Sequence, residues 1–291
     1  SADSTLFITN SIILGNAARS TYRRSNLRGG GHAMDGGETR IIHSVFLDNE
    51  LSARGSVGFE EATYGGALYA AGPLTLEECA VSGNSVTCNC SIAYGGGIYS
   101  TTNLSLRNVL VVGNVATGSI DAAQSGDGIY VAAGRVTMTN CTVASNDGEG
   151  VVSVSGVAGT ISVINSIFWG NGDDVVNFPK SGDGSLANVR YCDFQSGENV
   201  GTNGSVSIEP LFVDSIYYHL QSRQGNYVGG YFSGGSWDSD LDDSPLIDAG
   251  DPESDWSREP YPHGRCANMG AYGNTAVASK TFIRGTLMYF R

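Results

Sequence analysis

The chain has 291 residues, of which 41 are glycine and only 15% are charged, a composition that favours many short strands joined by tight turns over long helices. Hydrophobic residues make up 41% of the chain, enough for a sizeable core, but no apolar run approaches the roughly 18 residues of a membrane-spanning helix. The formal net charge of −13 disfavours nucleic acid as a general partner, because an acidic surface repels phosphate groups.

A seven-residue pattern recurs along the chain and predicts a first set of strands. The first copy, residues 10–16, reads NSIILGN, and later copies read HSVFLDN, ECAVSGN, NVLVVGN, NCTVASN and NSIFWGN. The interval between copies is typical of solenoid repeats. Each copy closes on an asparagine, and these are Asn16, Asn49, Asn84, Asn114, Asn146 and Asn171.

A second pattern precedes several of these copies. It reads YGGALYAAGPLTLE from Tyr64, YGGGIYSTTNLSLR from Tyr94 and GDGIYVAAGRVTMT from Gly126. Within it, apolar residues such as Leu74 and Leu76 alternate with polar ones, and a period of two is typical of strands. Each unit therefore contains three short strands separated by glycine and asparagine corners. The sequence predicts an all-β fold, a right-handed parallel β-helix of about seven coils with a loop-rich C-terminal region.

The side chains that follow each corner predict two inward columns of the core. Small residues form one column and large apolar residues form the other. Stacked coils would place like residues about 4.8 Å apart, so that each column becomes a continuous ladder. The small column is Ser11, Ser44, Cys79, Val109, Cys141, Ser166 and Cys192, and the large column is Ile13, Phe46, Val81, Val111, Val143, Phe168 and Phe194.

Three of the six cysteines share the small column in alternate coils, roughly 10 Å apart, which is too far for a disulfide. We therefore expect Cys79, Cys141 and Cys192 to be buried free thiols that pack as small hydrophobic residues. For Cys88 and Cys90, which share a loop, a disulfide is favoured over a metal site, because no further metal ligand lies nearby in the sequence.

The coils differ mainly between the closing asparagine and the next glycine pair. The insertions all follow the same corner, so we expect them to project from one side of the N-terminal half, where solenoids often bind partners. They span residues 17–28, 51–63, 85–93 and 115–125. The first insertion contains Arg19, Arg23, Arg24 and Arg28. Guanidinium groups suit a carboxylate, a sulfate or an acidic partner surface, and the alternative is a solvated loop that offsets the net charge.

An acidic tract, WDSDLDDSP, lies in the C-terminal part of the chain. Hard oxygen ligands at alternate positions are suited to Ca²⁺, although the tract does not match an EF-hand loop. The alternative is a solvated loop with turn-forming aspartates. The candidate ligands are Asp238, Asp240, Asp242 and Asp243, and the sequence indicates no other cofactor.

The recurrent asparagines indicate architecture rather than chemistry. An asparagine tolerates the left-handed backbone of a corner, and its amide group bonds to the backbone of neighbouring coils. Four asparagines begin Asn-x-Ser/Thr sequons and are candidate glycosylation sites, namely Asn89, Asn103, Asn140 and Asn203.

The C-terminal part contains a series of short motifs. Residues 209–214 read EPLFVD, residues 244–252 read SPLIDAGDP and residues 268–273 read NMGAYG. With these motifs the chain, from about residue 4 to residue 280, resembles bacterial right-handed parallel β-helix repeat proteins that are secreted or displayed on the cell surface. The resemblance implies an extracellular or cell-surface location. It also implies that coils occupy residues 1–204 and that residues 205–280 end the solenoid, leaving a strand-like tail at 281–291.

The sequence contains no complete catalytic constellation. A polygalacturonase-like hydrolase needs paired carboxylates followed by a histidine motif, but Asp173 and Asp174 come after the nearest such motif, at His32. The bases available to a polysaccharide lyase are scattered, with His43 at a corner and Lys180 in a loop. These observations disfavour an enzyme, and the β-helix fold by itself does not settle function.

Two hypotheses about function follow. In the first, the protein has a structural or adhesive role, and the apolar tail that starts at Thr281, TFIRGTLMYFR, pairs with the uncapped end of another copy. Such head-to-tail contacts generate filaments. The alternative is a carbohydrate-active β-helix, either a polysaccharide lyase or glycoside hydrolase or a glycan-binding protein, with its cleft beside the insertions. The expected partners are therefore further copies of the chain or extracellular glycans.

Overall fold

The computed structural model of the protein describes residues 4–20, 26–54, 62–89, 92–118, 126–154, 161–176, 189–197, 200–201 and 203–282. All regular elements among these residues are strands, and no helix there is long and apolar enough to cross a membrane. Strands of successive coils pair in parallel, which confirms the predicted all-β solenoid.

The longest sheet receives strands from seven successive coils. Each coil contributes either one long strand or two short strands on either side of a corner. In chain order these strands are β1 (Thr5–Thr9), β2 (Ile12–Leu14), β5 (Glu38–Ile42), β6 (Val45–Leu47), β10 (Leu74–Ser82), β14 (Leu104–Val112), β17 (Val136–Ala144), β19 (Ile161–Ile164), β20 (Ile167–Trp169), β22 (Val189–Arg190) and β23 (Asp193–Phe194).

A six-stranded sheet forms a second wall of the coils. Its strands are β4 (His32–Met34), β9 (Leu68–Ala70), β13 (Ile98–Ser100), β16 (Ile129–Val131), β18 (Glu149–Ser153) and β21 (Asp173–Val176). The apolar residues of this sheet and of the long sheet share one continuous core, which extends from Met34 to Phe194. Each coil thus buries its apolar face only against its neighbours.

Each coil bends within the long sheet at a residue in the left-handed backbone conformation, with φ between 48° and 54°. The expected asparagine occupies four of these seven corners, and His43, Glu78 and Tyr191 occupy the others. The corner shifts the alternation of the strand by one residue, so side chains on both flanks point into the core. The corner asparagines are Asn10, Asn108, Asn140 and Asn165.

The strand register confirms the two inward columns. Cys79 lies opposite Val109, which in turn lies opposite Cys141, and all three side chains are buried. Cys79, Cys141 and Cys192 are free thiols, as predicted. Burial raises the pKa of each thiol to about 12, so these groups stay protonated and pack as apolar residues.

The insertions begin as regular strands rather than as loops. β3 (Ala17–Ser20), β7 (Glu50–Ala53), β11 (Ser85–Cys88) and β15 (Val115–Gly118) form a parallel sheet, and the paired strands β8 (Ala62–Tyr64) and β12 (Ile92–Tyr94) lie behind it. We call these six strands the wing. Leu51, Val86, Cys88 and Ala93 form its own small core. The wing lies on one side of the N-terminal half, as the common corner predicts, whereas Cys90 lies outside the described residues.

The C-terminal residues 208–282, which we call the cover, run back along the outside of the long sheet. They contain one antiparallel hairpin, β24 (Asn226–Val228) and β25 (Ser236–Asp238). Tyr218, Tyr227 and Tyr272 of the cover pack against outward-facing apolar residues such as Leu110 and Val112. The long sheet is therefore buried on both faces in its middle coils.

Corner asparagines hold the cover in place. The Nδ2 group of Asn108 donates to the carbonyl oxygens of Ala271 and Gly273 at 2.9 and 2.7 Å, and that of Asn140 donates to the carbonyl oxygen of Asn268 at 3.0 Å. These bonds join residues far apart in the chain. The corners therefore have a second structural role besides turning the coil.

Candidate functional site

The arginines of the first insertion do not converge on one site. Arg19 lies on the outer face of the wing, where its guanidinium contacts Glu50 at 2.8 Å. Arg28 lies at the junction between the wing and the six-stranded sheet, where its backbone bridges to Tyr64 of β8. Its guanidinium pairs with Asp35 at 3.1 Å and lies 4.9 Å from the ring centroid of Tyr69. Arg23 and Arg24 lie outside the described residues.

The outer face of the wing brings a different arginine to Arg19. Arg54 follows β7, and together with Arg19, Ser20, Glu50 and Ser52 it lines an open hollow of about 340 Å³. Arg19 lies opposite Ser52 in the strand register, and Arg54 comes two residues after Ser52 on the same face. The sequence alone does not reveal this arginine pair, because it becomes apparent only when the register between the first two coils is known.

Hydroxyl groups continue this face across the wing. Arg19, Ser52, Thr87 and Thr117 occupy successive positions of one outward column. The column that alternates with them, which contains Ala18, Leu51, Val86 and Ala116, faces the small core of the wing. The outer face is therefore a flat, polar sheet surface with two guanidinium groups at one edge.

A stack of tyrosines occupies the junction between the wing and the six-stranded sheet. The rings of Tyr69, Tyr99 and Tyr130 lie nearly parallel, with centroids 5.6 and 5.5 Å apart, and Tyr64 and Tyr94 pack beside them. Because the ring faces are covered by one another, they offer little area for stacking on a sugar. This arrangement stabilises the junction instead.

The first coil exposes several large apolar side chains. The relative exposure is 45% for Leu6, 60% for Phe7, 73% for Ile12 and 57% for Leu14. Beside them lies a hollow of about 360 Å³ lined by residues of the first strands, including His32. The buried Nε2 atom of His32 has no hydrogen-bond partner within the described ranges.

The aspartates of the acidic tract are not gathered into a metal site. Asp243 accepts a hydrogen bond from Nε of Arg223 at 2.7 Å, and Asp238 accepts one from the backbone of Ser239 at 2.8 Å. In the part of the chain that the structure describes, no group of three or more histidine, cysteine, aspartate or glutamate side chains is arranged to hold a metal ion. The geometry of Asp238, Asp240, Asp242 and Asp243 therefore gives no support to a calcium site.

The closing asparagines, from Asn16 to Asn171, form a hydrogen-bonded ladder along the solenoid. Asn84 donates from its backbone N and from Nδ2 to Oδ1 of Asn114, both at 3.0 Å, and Asn114 bonds to Asn146 in the same way. The ladder includes Asn49 and ends where Asn171 donates to Asp174. The amide groups of these side chains are therefore occupied by structural hydrogen bonds.

The sequon asparagines differ in their exposure. Asn89, Asn103 and Asn203 are exposed. Asn140 is buried, and its Nδ2 group is bonded to the carbonyl oxygen of Asn268 in the cover. Glycosylation of Asn140 would therefore require the cover to detach.

The residues considered for catalysis lie in structural contacts. His43 approaches the buried Glu78 at 3.1 Å, and Arg258 of the cover binds the other oxygen of Glu78 at 2.6 Å. Asp174 is buried and accepts a bond from the backbone N of Ser196 at 2.8 Å, whereas Lys180 lies outside the described residues. These described groups fasten the cover and the last coils.

Three buried titratable groups lie in the cover or beneath it. Burial lowers the pKa of His219 to about 4, while its ring stacks on Tyr272 with the ring centroids 3.6 Å apart. Burial raises the pKa of Glu259 and of Asp193 to about 7, although backbone N–H groups donate to both carboxylates. All three side chains are enclosed by protein, so their perturbed pKa values reflect packing rather than an open site.

No protein-family model matches the chain, and no curated protein or solved structure is significantly similar to it. Function is therefore inferred from the geometry of the molecule itself. Two surfaces stand apart from the purely structural contacts: the apolar N-terminal end of the solenoid and the polar outer face of the wing.

Proposed function

We propose that the protein is a structural β-solenoid, located outside the cell or at its surface, that assembles with further copies of itself through its N-terminal end. The observation that carries this proposal is the exposed apolar surface of the first coil. Four large apolar side chains, Leu6, Phe7, Ile12 and Leu14, are at least 45% exposed there. An exposed apolar patch of this kind favours association, because its burial removes apolar surface from water.

The hydrogen-bonding groups of the first coil support the same proposal. Within the described residues, β1, β2 and β3 each pair with a later strand on one side only. The free edge of a parallel sheet is a template for an added strand, and the added backbone satisfies the exposed N–H and C=O groups. A strand from another copy would therefore extend the solenoid in its own register.

We assign to this edge the segment that begins at Thr281, of which residues 283–291 lie outside the described residues. Its sequence, TFIRGTLMYFR, is apolar and aromatic and contains no acidic residue. In head-to-tail assembly, the tail of one copy docks on the first coil of the next. Because each copy then presents one donor and one acceptor, the contact propagates into filaments.

Light scattering on purified protein tests the proposal with two sets of variants. Phe7→Asp combined with Ile12→Asp should abolish association, because charged side chains oppose burial of the end. Leu241→Asp is the matched control, since Leu241 is 91% exposed and lies in the cover. Deletion of residues 283–291 should also abolish association.

The outcomes separate the alternatives. If association is lost in the Phe7→Asp, Ile12→Asp variant but not in the deletion variant, a strand other than residues 283–291 occupies the edge. A monomer at all concentrations for the unmodified protein would contradict the proposal.

A further inference from the structure

We infer that the outer face of the wing binds an acidic polysaccharide through the oxyanion of a sugar unit held between Arg19 and Arg54. Both arginines line the same open hollow, together with Ser20, Glu50 and Ser52. Their positions, one coil apart and two residues along the strand, place their Cα atoms about 8 Å apart. Two guanidinium groups at this spacing can bind one carboxylate or sulfate from both sides.

The local charge favours an anion. Glu50 neutralises Arg19, which it contacts at 2.8 Å. The described residues that line the hollow include two arginines and one glutamate, so this lining carries a formal net charge of +1. The net charge of the protein is −13, so this local positive charge distinguishes the hollow and attracts an anionic group.

The neighbouring hydroxyl groups favour a saccharide. Ser52, Thr87 and Thr117 continue the column of Arg19 at the strand spacing of about 4.8 Å, and each hydroxyl can both donate and accept a hydrogen bond. A polysaccharide that runs across the strands would contact the hydroxyl groups of this column one after another, starting from the bound oxyanion. The arginines thus fix the charged group, and the hydroxyls contact the units that follow.

The same surface is less suited to other anionic macromolecules. None of the residues that line the hollow is apolar, whereas protein interfaces have a buried apolar or aromatic centre. Nucleic acid carries a phosphate on every nucleotide, and the net charge of −13 opposes so dense an array of negative charge. An acidic polysaccharide places fewer charges on an extended, hydroxylated chain.

Titration calorimetry at low ionic strength tests the inference with three probes: polygalacturonate, which carries carboxylates, heparin, which carries sulfates, and neutral dextran. The unmodified protein should bind one or both acidic probes, and binding should weaken as salt is added. Arg54→Gln should weaken binding about tenfold, since a charge-assisted hydrogen bond is lost. The affinity of Arg54→Lys should lie between those of the unmodified protein and Arg54→Gln. Lysine keeps the positive charge but cannot donate two parallel hydrogen bonds as a guanidinium group does.

Arg135→Gln is the matched control, because Arg135 is also exposed but precedes β17, away from the wing. Unchanged binding in this variant supports the site, and an equal loss in both variants overturns it. Binding of dextran as tight as that of the acidic probes, or no binding of either acidic probe, also overturns it. Tighter binding of a single-stranded DNA oligonucleotide would overturn the assignment to a saccharide. An unchanged thermal midpoint for each variant shows that it is folded, and light scattering reports separately on assembly.

Discussion

The two ends of the solenoid bury equivalent positions to very different extents. In the last coil, the inward side chains of Val189 and Phe194 are almost completely buried. In the first coil, the equivalent inward side chains of Ile8 and Ile13 are only partly buried. Among the described residues, the first coil therefore leaves more apolar surface exposed than the last coil.

Within the described residues, the last coil has neighbours that the first coil lacks. Asn203 and Val206 supply backbone acceptors to the last coil, at 2.9 Å from the N atom of Tyr191 and 3.0 Å from that of Phe194. The cover then packs over the outward face of the later coils. In a solenoid each coil is stabilised by the coils beside it, so an end without a neighbour keeps its apolar surface in water.

The largest expected effect compares one phenylalanine at each end. Phe194→Ala removes a fully buried ring that stacks on Phe168 with the centroids 4.8 Å apart, and should lower the free energy of unfolding by about 3–5 kcal/mol. Phe7→Ala should lower it by less than about 0.5 kcal/mol, because the side chain is 60% exposed. Urea unfolding of monomeric protein checks the comparison. Equal losses would contradict the comparison, because they would show that Phe7 is as buried in the monomer as Phe194.

A smaller effect compares two asparagines of the ladder. Asn114→Ala should cost about 2–3 kcal/mol, because it leaves the buried donors of Asn84 without their acceptor. Asn16→Ala should cost less than about 1 kcal/mol, since Asn16 is exposed and no asparagine precedes it in the ladder. Thermal unfolding of both variants measures the difference. Equal losses would contradict this expectation, because they would show that Asn16 at the end of the ladder contributes as much as Asn114 in its interior.

The smallest expected effect concerns pH and the cover. Burial raises the pKa of Glu259 from 4.5 to about 7, so the folded state binds a proton more tightly than the unfolded state. The stability contributed by this proton is fully present below pH 4.5 and is lost as the pH rises through 7. Glu259→Gln should remove this loss, because the neutral amide needs no proton and its oxygen still accepts the backbone bonds.

The pH dependence of Glu259→Gln should be compared with that of Glu209→Gln, since Glu209 is exposed. His219 contributes in the opposite direction, because its pKa is lowered to about 4 and its contribution is lost as the pH falls below 6.5. Between pH 4.5 and 7 the two contributions partly offset each other in the unmodified protein. A Glu259→Gln variant whose stability still falls as the pH rises over this range would show that another group dominates.

Much of the coil could be predicted from residues near one another in the chain. The alternation at Leu74 and Leu76 indicates a strand, and the repeated Gly-Asn ending locates the ladder. The position of the cover is harder to predict from the sequence, although one pattern indicates that the long sheet is covered. Residues 109–112 read VLVV, so both faces of that strand are apolar, which is typical of a strand that is buried on both sides.

The arginine site shows the limit of sequence reading more directly. Arg19 and Arg28 belong to one insertion, but they lie on different surfaces because the insertion leaves the solenoid as a strand and returns. Arg54, from the next coil, is the arginine that joins Arg19. The distance between side chains depends on the register of neighbouring coils and not on their separation in the sequence.

By itself, the sequence determined the solenoid, its inward columns and the asparagine ladder. These features arise from contacts between adjacent coils. In a repeat of about thirty residues, the same residues recur at each contact, so the pattern is visible several times in the sequence. Only the tertiary structure decided where the cover lies, how the exposure of the first and last coils differs and which arginines meet. These features depend on single contacts that the repeat does not restate, such as the bond from Asn108 to the carbonyl oxygen of Ala271, 163 residues further along the chain.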